Sequence, residues 1–225
     1  GHVMCYDGTS LVLAAAASGG GGLDSAATLS LTTITVPDTT SVGLGSNALA
    51  NDDGSSNQNT AVGCQALCTL VSGSENAAMG YQAMLNTTTG RENAALGAQA
   101  LRNNVTGCNN VAVGFAALRA NTTGCSNIGI GSCTLYGNTT GICNTAVGSC
   151  ALFGNTIGGA NVAVGVFSLR FNTTGISNTA IGHQAGCNIT IGTNNVVLGY
   201  NAQASAATVS NEITIGNTSQ TVFRL

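Results

Sequence analysis

Residues 59–67 read NTAVGCQAL, and residues 144–152 repeat this stretch almost unchanged as NTAVGSCAL. The two copies lie 85 residues apart, and 85 is five times 17. A unit of the form N-x-A-[VIL]-G-x-x-A-L, followed by N-T-T-G, also recurs between them. Self-similarity at a fixed step is typical of repeat architectures, so this period decides the class of fold.

Three columns of residues keep the 17-residue step. The glycine of the AVG triplet recurs at that step from Gly63 to Gly216, and a second glycine recurs from Gly73 to Gly192. Nine units in phase exclude a chance similarity. An asparagine stands four residues before the first glycine in each of them: Asn59, Asn76, Asn93, Asn110, Asn127, Asn144, Asn161, Asn178 and Asn195.

The length of the unit predicts a parallel β-solenoid. Seventeen residues are too few for helix-pair repeats of about 33 or more and for leucine-rich repeats of about 20 to 29. In each unit a short alternating segment rich in β-branched residues is bounded by glycine and by NTTG, which is typical of a strand between turns. We expect an all-β fold of about eleven coils over residues 41–217, paired as parallel strands at about 4.8 Å.

The columns also predict which side chains fill the coil. The aliphatic column just before the glycine, as at Val62, and the leucine column four residues after it, as at Leu67, are expected to face the core. Alternation then places the small residues two before the glycine outside. An exposed apolar stripe indicates an interaction surface, so we expect a homo-oligomer, with three copies as the expected number. The predicted interface residues are Ala61, Ala78, Ala95, Ala112, Ala146, Ala163 and Ala180.

The composition excludes several classes of protein. Only 6% of residues are charged, 44% are hydrophobic, and proline occurs once. Collagen needs far more proline, and disordered chains are more charged and less hydrophobic. A net charge of −3 with no lysine gives no basic surface for nucleic acid. No apolar stretch reaches the roughly 20 residues of a membrane-spanning helix, so no membrane insertion is expected.

One pair of cysteines is a candidate for covalent chemistry. Of the nine cysteines, Cys108 and Cys125 occupy the same column in successive units. Stacked strands bring such Cα atoms to about 4.8 Å, within the range that a disulfide accepts. Side chains that point in parallel are a poor approach for two sulfurs, so the alternative is a role as small apolar residues. Both interpretations stay open.

No catalytic, cofactor or metal site is expected. Within the nine asparagine-led units the carboxylates are Glu75 and Glu92, too few for a calcium-binding β-roll. Cys64, Cys68 and His183 lack the spacing of a zinc site.

A column of arginines and aromatics offers a possible binding surface. Arg102, Arg119 and Arg170 share the position five after the glycine with Tyr136 and Phe153. These residues could bind a glycan or receptor on a host surface. The alternative, which we favour, is a solvated surface on which long side chains pack along their stems.

The repeats resemble those in tail-fibre proteins of bacteriophages and in fibre proteins of large viruses, on the basis of NTAVGCQAL, NTTG and NTAVG. They are more loosely similar to the head repeats of trimeric autotransporter adhesins, which form a left-handed parallel β-roll trimer. The opening GHVMCYDGTSLVL resembles the YDGT modules of phage fibres, and the closing NEITIGNTSQTVFRL resembles the lead into a trimerising chaperone domain. The nine cysteines depart from such fibres, and the chaperone domain itself does not occur in the sequence.

The resemblance implies a left-handed, trimeric fibre segment on a virion surface or in the extracellular space. We expect a non-enzymatic structural and adhesive role, with residues 1–40 as an attachment or capping segment and residues 218–225 as a tail. The alternative is a bacterial cell-surface adhesin or an extracellular filament subunit that assembles head to tail. Because the sequence starts at Gly1, we expect a segment of a longer protein or a processed protein.

Overall fold

A computed structural model describes residues 3–6, 11–14, 34–35, 40–54 and 57–219. The first strands are β1 (Val3–Tyr6) and β2 (Leu11–Ala14), which pair antiparallel, and β3 (Ile34–Thr35). The strands of the repeats follow: β4 is Val42–Leu44, β5 Thr60–Val62, β6 Ala77–Met79, β7 Ala94–Leu96, β8 Val111–Val113, β9 Ile128–Ile130, β10 Thr145–Val147, β11 Val162–Val164, β12 Thr179–Ile181, β13 Val196–Leu198 and β14 Ile213–Ile215.

Strands β4 to β14 form one continuous parallel ladder in chain order, with β3 added antiparallel beside β4. Each strand pairs with the strand one unit further on, as Ala112 pairs with Gly129 and Gly129 with Ala146. The chain therefore advances by one strand per turn, and the described residues form a parallel β-solenoid of about ten turns. This confirms the predicted solenoid. No α-helix occurs in the described part of the chain, and hence none that could cross a membrane.

The predicted segments at the two ends are described only in part. Within residues 1–40 the structure describes the three short strands and Thr40, and most of that predicted capping segment lies outside the described residues. Of the predicted tail, residues 218 and 219 are described.

Each coil turns through residues with positive φ. In one unit these are Gly63 (131°), Gln65 (59°), Leu67 (49°) and Glu75 (58°). Such angles are unfavourable for residues other than glycine unless the surroundings hold them. Here the main-chain N–H groups of Gln65 and Leu67 donate to carbonyls of the coils on either side, at 2.8 and 3.0 Å. The stack of coils therefore stabilises the turns that build it.

Close stacking explains both glycine columns. A Cβ atom at Gly63 would lie 2.6 Å from the carbonyl oxygen of Gly80 in the next coil. At Gly90 it would lie 2.7 Å from the carbonyl oxygen of Gly107. Real Cβ atoms do not approach main-chain oxygen so closely, so both columns need glycine.

The leucine column fills the core, as predicted. Leu67, Leu101 and their equivalents are completely buried. Opposite them lie the small inward residues of the strands. A Cβ atom at Gly129 would lie 3.5 Å from Cδ1 of Leu118, an ordinary van der Waals contact. This inward strand position therefore has room for a methyl group beside the leucine.

The prediction for the two faces of the strands is wrong. The alanine column lies inside the chain's own core: Ala61, Ala78, Ala95, Ala112, Ala146, Ala163 and Ala180 are 0–3% exposed. The aliphatic column faces outward, and Met79 is 52% exposed and Leu96 49%. The physical reason is the small cross-section of a 17-residue coil. A leucine already occupies the interior, so the facing strand can add only a small side chain.

The corner asparagines form a buried ladder. The side-chain oxygen of Asn127 accepts from the main-chain N–H and the side-chain amide of Asn144, both at 3.1 Å. The amide of Asn127 donates to Oδ1 of Asn110 at 3.1 Å and to the carbonyl of Gly141 at 2.8 Å. The pattern repeats along the column, and these asparagines are buried. Each one therefore joins its own coil to both neighbours.

Other residues end this ladder. At the first coil the hydroxyl of Ser41 accepts from the main-chain N–H of Asn59 at 3.2 Å. At the last coil Glu212 takes the asparagine position, and its N–H donates to Oδ1 of Asn195 at 3.0 Å. Hydrogen bonds from the hydroxyls of Ser205 and Thr214, and from the main-chain N–H of Ser205, lower the pKa of the Glu212 carboxyl.

A second ladder lies inside the coil. Asn121 donates to Oδ1 of Asn104 at 2.8 Å, and the contact repeats through Asn138, Asn155 and Asn172. All five are 0% exposed. Isoleucine follows at position 189, so Oδ1 of Asn172 has no protein hydrogen-bond partner. These residues belong to the NTTG motif, which the sequence analysis treated as a turn.

Replacing Asn127 by alanine is expected to destabilise the rod strongly. The change leaves two N–H donors of Asn144 and the carbonyl of Gly141 without their partner. Each buried unsatisfied group costs about 1–3 kcal/mol. A loss of about 3 kcal/mol lowers the thermal midpoint by about 6–12 °C, measurable by circular dichroism. Thr123→Ala, at an exposed position, is the control, and equal midpoints for the two variants would contradict the ladder.

Candidate functional site

The outward face of the sheet is the most distinctive surface of the described chain. The first and third residues of each strand point outward, and the second points inward. None of the outward positions carries a charge, and threonine occurs at three of them. The outward residues are Val42, Leu44, Thr60, Val62, Ala77, Met79, Ala94, Leu96, Val111, Val113, Ile128, Ile130, Thr145, Val147, Val162, Val164, Thr179, Ile181, Val196, Leu198, Ile213 and Ile215. We call this surface the aliphatic face.

The outward side chains of the aliphatic face are exposed or half-buried along its whole length. Val42 in the first strand is 41% exposed, Ile130 in the middle 41% and Ile213 in the last strand 72%. Where the outward residues are only alanine, at Ala77 and Ala94, a shallow apolar groove of about 260 Å³ lies between longer side chains. Contiguous apolar surface of this extent marks an interaction site in proteins.

The seven alanines predicted as an oligomer interface cannot serve as one in this fold. Ala112, Ala146 and Ala163 are 0% exposed and belong to the core of the single chain. The aliphatic face lies on the opposite side of the same strands. The exposed apolar surface is therefore formed by the residues next to the alanines in each strand, and not by the alanines themselves.

Cys108 and Cys125 lie next to each other on another side of the rod. Their sulfur atoms are 2.7 Å apart, and the main-chain N–H of Cys108 donates to Sγ of Cys125 at 3.1 Å. Both are half-buried free thiols in the structure. The structure therefore places the two predicted cysteines in contact, while a disulfide bond between them stays a prediction.

The pKa of the Cys125 thiol lies above its ordinary value. Burial is the main cause, and the hydrogen bond between the two thiol groups adds to it, whereas the main-chain N–H of Cys108 acts in the opposite direction. The Cys125 thiol therefore loses its proton at a higher pH than an ordinary cysteine does. Since thiolate is the nucleophile, exchange reactions there become faster as the pH rises.

The arginine and aromatic column packs along the rod. Tyr136 and Phe153 stack with ring centroids 5.2 Å apart and planes 10° from parallel. The guanidinium of Arg119 donates to the Tyr136 hydroxyl at 2.8 Å, and that of Arg170 lies 4.8 Å from the centroid of the Phe167 ring. Rings stacked on each other leave little open ring face for a sugar. These contacts favour the interpretation as stem packing.

Titratable groups are sparse on the described residues. One ion pair occurs there, between Arg91 and Glu92 at 3.9 Å, and both side chains are well exposed. In the same residues no three His, Cys, Asp or Glu side chains gather where they could hold a metal ion. The aliphatic face and the cysteine pair are therefore the features that invite a functional interpretation.

Comparisons with protein-family models, with curated protein sequences and with solved structures each returned no significant match to this chain.

The assignment of the inner and outer faces predicts opposite effects for adjacent residues. Ala146→Leu adds three carbons inside a filled coil and should lower the free energy of unfolding by about 1–3 kcal/mol. Val147→Leu adds one carbon on the aliphatic face and should change it by less than about 0.5 kcal/mol. Urea unfolding measures both, and a larger loss for Val147→Leu would reverse the assignment.

Oxidised glutathione is expected to join Cys108 and Cys125. One thiolate attacks the glutathione disulfide and releases one glutathione, and the second cysteine then displaces the other glutathione to form the Sγ–Sγ bond. Peptide mapping should show this cross-link, at a rate that increases with pH. Cys125→Ser should abolish it and Cys143→Ser should not. Stable glutathione adducts with no cross-link would contradict the prediction.

Proposed function

We propose that this chain is a structural and adhesive fibre segment of a bacteriophage or virus, with no catalytic step. The observation that carries the proposal is the unbroken ladder from β4 to β14, in which every unit has the same register. A chain that repeats one coil in this way forms a long and stiff rod. At about 4.8 Å per coil the solenoid is about 50 Å long.

Hydrogen bonds on several sides of the coil support a mechanical role. Besides the strand ladder, the N–H of Thr122 donates to the carbonyl of Thr139 at 2.9 Å and that of Ser126 to Cys108 at 3.0 Å. The two asparagine ladders add side-chain bonds inside the stack. Bending the rod in any direction must therefore stretch hydrogen bonds between coils, which makes a slender solenoid stiff.

The proposed location is the virion surface or the extracellular space, where a rod holds a binding element away from its base. The repeat pattern supports this through its resemblance to phage and viral fibres. That resemblance also implies three copies of the chain in one fibre. The binding partner is a glycan or receptor on a host surface, contacted through exposed positions on the sides of the rod.

A bacterial cell-surface adhesin or filament subunit is the second candidate. The sheet itself favours this alternative at its C-terminal end. Among the described residues β14 is the last strand in the ladder, and none of them pairs with its outer edge. An open strand edge is a template for pairing with another chain, so copies could add head to tail.

Immunogold electron microscopy distinguishes these proposals. Antibodies against the repeat region should label thin appendages on virions in the material from which the sequence derives. Label on bacterial envelopes or on free filaments would favour the second candidate. Label confined to the interior of cells would contradict both.

A further inference from the structure

We propose that the aliphatic face is the surface on which a second copy of this chain docks, sheet against sheet. The inference rests on the proposed function in one respect, since it assigns the contact surface of a fibre built from several copies. The aliphatic face takes the place of the alanine column as the proposed contact surface, because the alanine column lies inside the single chain.

The aliphatic face is large enough for a stable contact. Its outward side chains, exposed or half-buried, run over eleven strands, with Met79, Leu96 and Ile181 between 46% and 52% exposed. At about 4.8 Å per strand and about 3.3 Å per residue the strands form a strip on the order of 50 Å by 10 Å. Such a strip makes up most of a standard interface, which buries roughly 800 Å² on each partner. Two such faces can pack at the distance of about 10 Å that is usual for stacked sheets.

A second copy fits this face because its period matches. The side chains of the aliphatic face stand in rows separated by the strand spacing of about 4.8 Å. Another copy carries rows at the same spacing, so ridges and grooves stay in phase over the full length. A partner with a different spacing drifts out of phase within a few rows, since interiors must be closely packed to be stable.

The charge distribution also favours a contact through this face. Arg102 and Arg119 hold hydrogen bonds to Gln82 and Gln99 on another side of the rod. Arg91 and Glu92 likewise lie outside the strands. The outward strand positions themselves carry no charge, so contact through them avoids the desolvation penalty that charges impose. It also covers the apolar groove over Ala77 and Ala94.

Matched charge substitutions test the contact. Leu96→Lys with Ile181→Lys places two positive charges on the aliphatic face, at side chains 49% and 46% exposed. The control, Ile142→Lys with Ile176→Lys, places the same charges outside the strands at side chains 52% and 49% exposed. Sedimentation equilibrium measures the mass of the full chain, and circular dichroism verifies that each variant is folded.

We expect the unaltered chain and the control to be multimers and the face variant to have the mass of one chain. A folded face variant that keeps the multimeric mass would overturn the surface and leave the fibre proposal standing. An unaltered chain that stays monomeric at every concentration would overturn the proposal that a second copy docks on the aliphatic face. The proposal of a fibre segment would still be tested separately by the immunogold label.

A second measurement applies if the face variant does not fold. Ile130→benzoylphenylalanine places a photoreactive group in the middle of the aliphatic face. Irradiation should join two copies of the chain through that residue, and the same group at position 142 should not. Equal cross-linking at both positions, or none at position 130, would overturn the proposal.

Discussion

The hydrogen bonds of the corner asparagines are the constraint on which the other features of the rod depend. Most side-chain oxygens of the column accept from the main-chain N–H and the side-chain amide of the next asparagine, as Asn127 does for Asn144. This geometry exists only when the next asparagine arrives at the same corner after one turn. From Asn59 to Asn195 the corner asparagines arrive 17 residues apart, and the ladder holds this period. The coil before them has 18 residues, and there the corner is Ser41 instead of an asparagine.

The fixed period then determines what the coil can contain. Consecutive coils lie so close that glycine is needed at two corners, and in most turns the interior holds one leucine with small residues around it. Because the inward strand residue must be small, the large aliphatic residues of the strand have to face out. The narrow core and the exposed aliphatic face are therefore two consequences of one dimension, the circumference of the coil.

Much of this fold could be predicted from the sequence because a repeat turns one local pattern into a global one. The period predicts the parallel ladder, and the column of leucines at positions such as Leu67 predicts the core. Which face of each strand points into the core could not be predicted in the same way. Alternation shows that Ala61 and Val62 point to opposite sides, but the sequence does not contain the width of the interior, which decides the side that faces in.

The inner asparagine ladder and the cysteine pair show the same limit. Asn121 stands in NTTG, where a turn explains it equally well, and its column becomes informative only when five buried amides are seen to touch. For Cys108 and Cys125 the shared column predicted proximity. The separation of their sulfur atoms depends on side-chain rotamers, which the spacing does not determine.

Hydrogen exchange of the asparagine side-chain amides tests the central claim most directly. In a labelled sample the Nδ2 protons of the corner column, from Asn76 to Asn195, should exchange with solvent slowly, since they are buried and hydrogen-bonded. The amide of the exposed Asn194 should exchange much faster. Slow exchange along the whole column is the predicted result, and corner amides that exchange as fast as Asn194 would contradict the account.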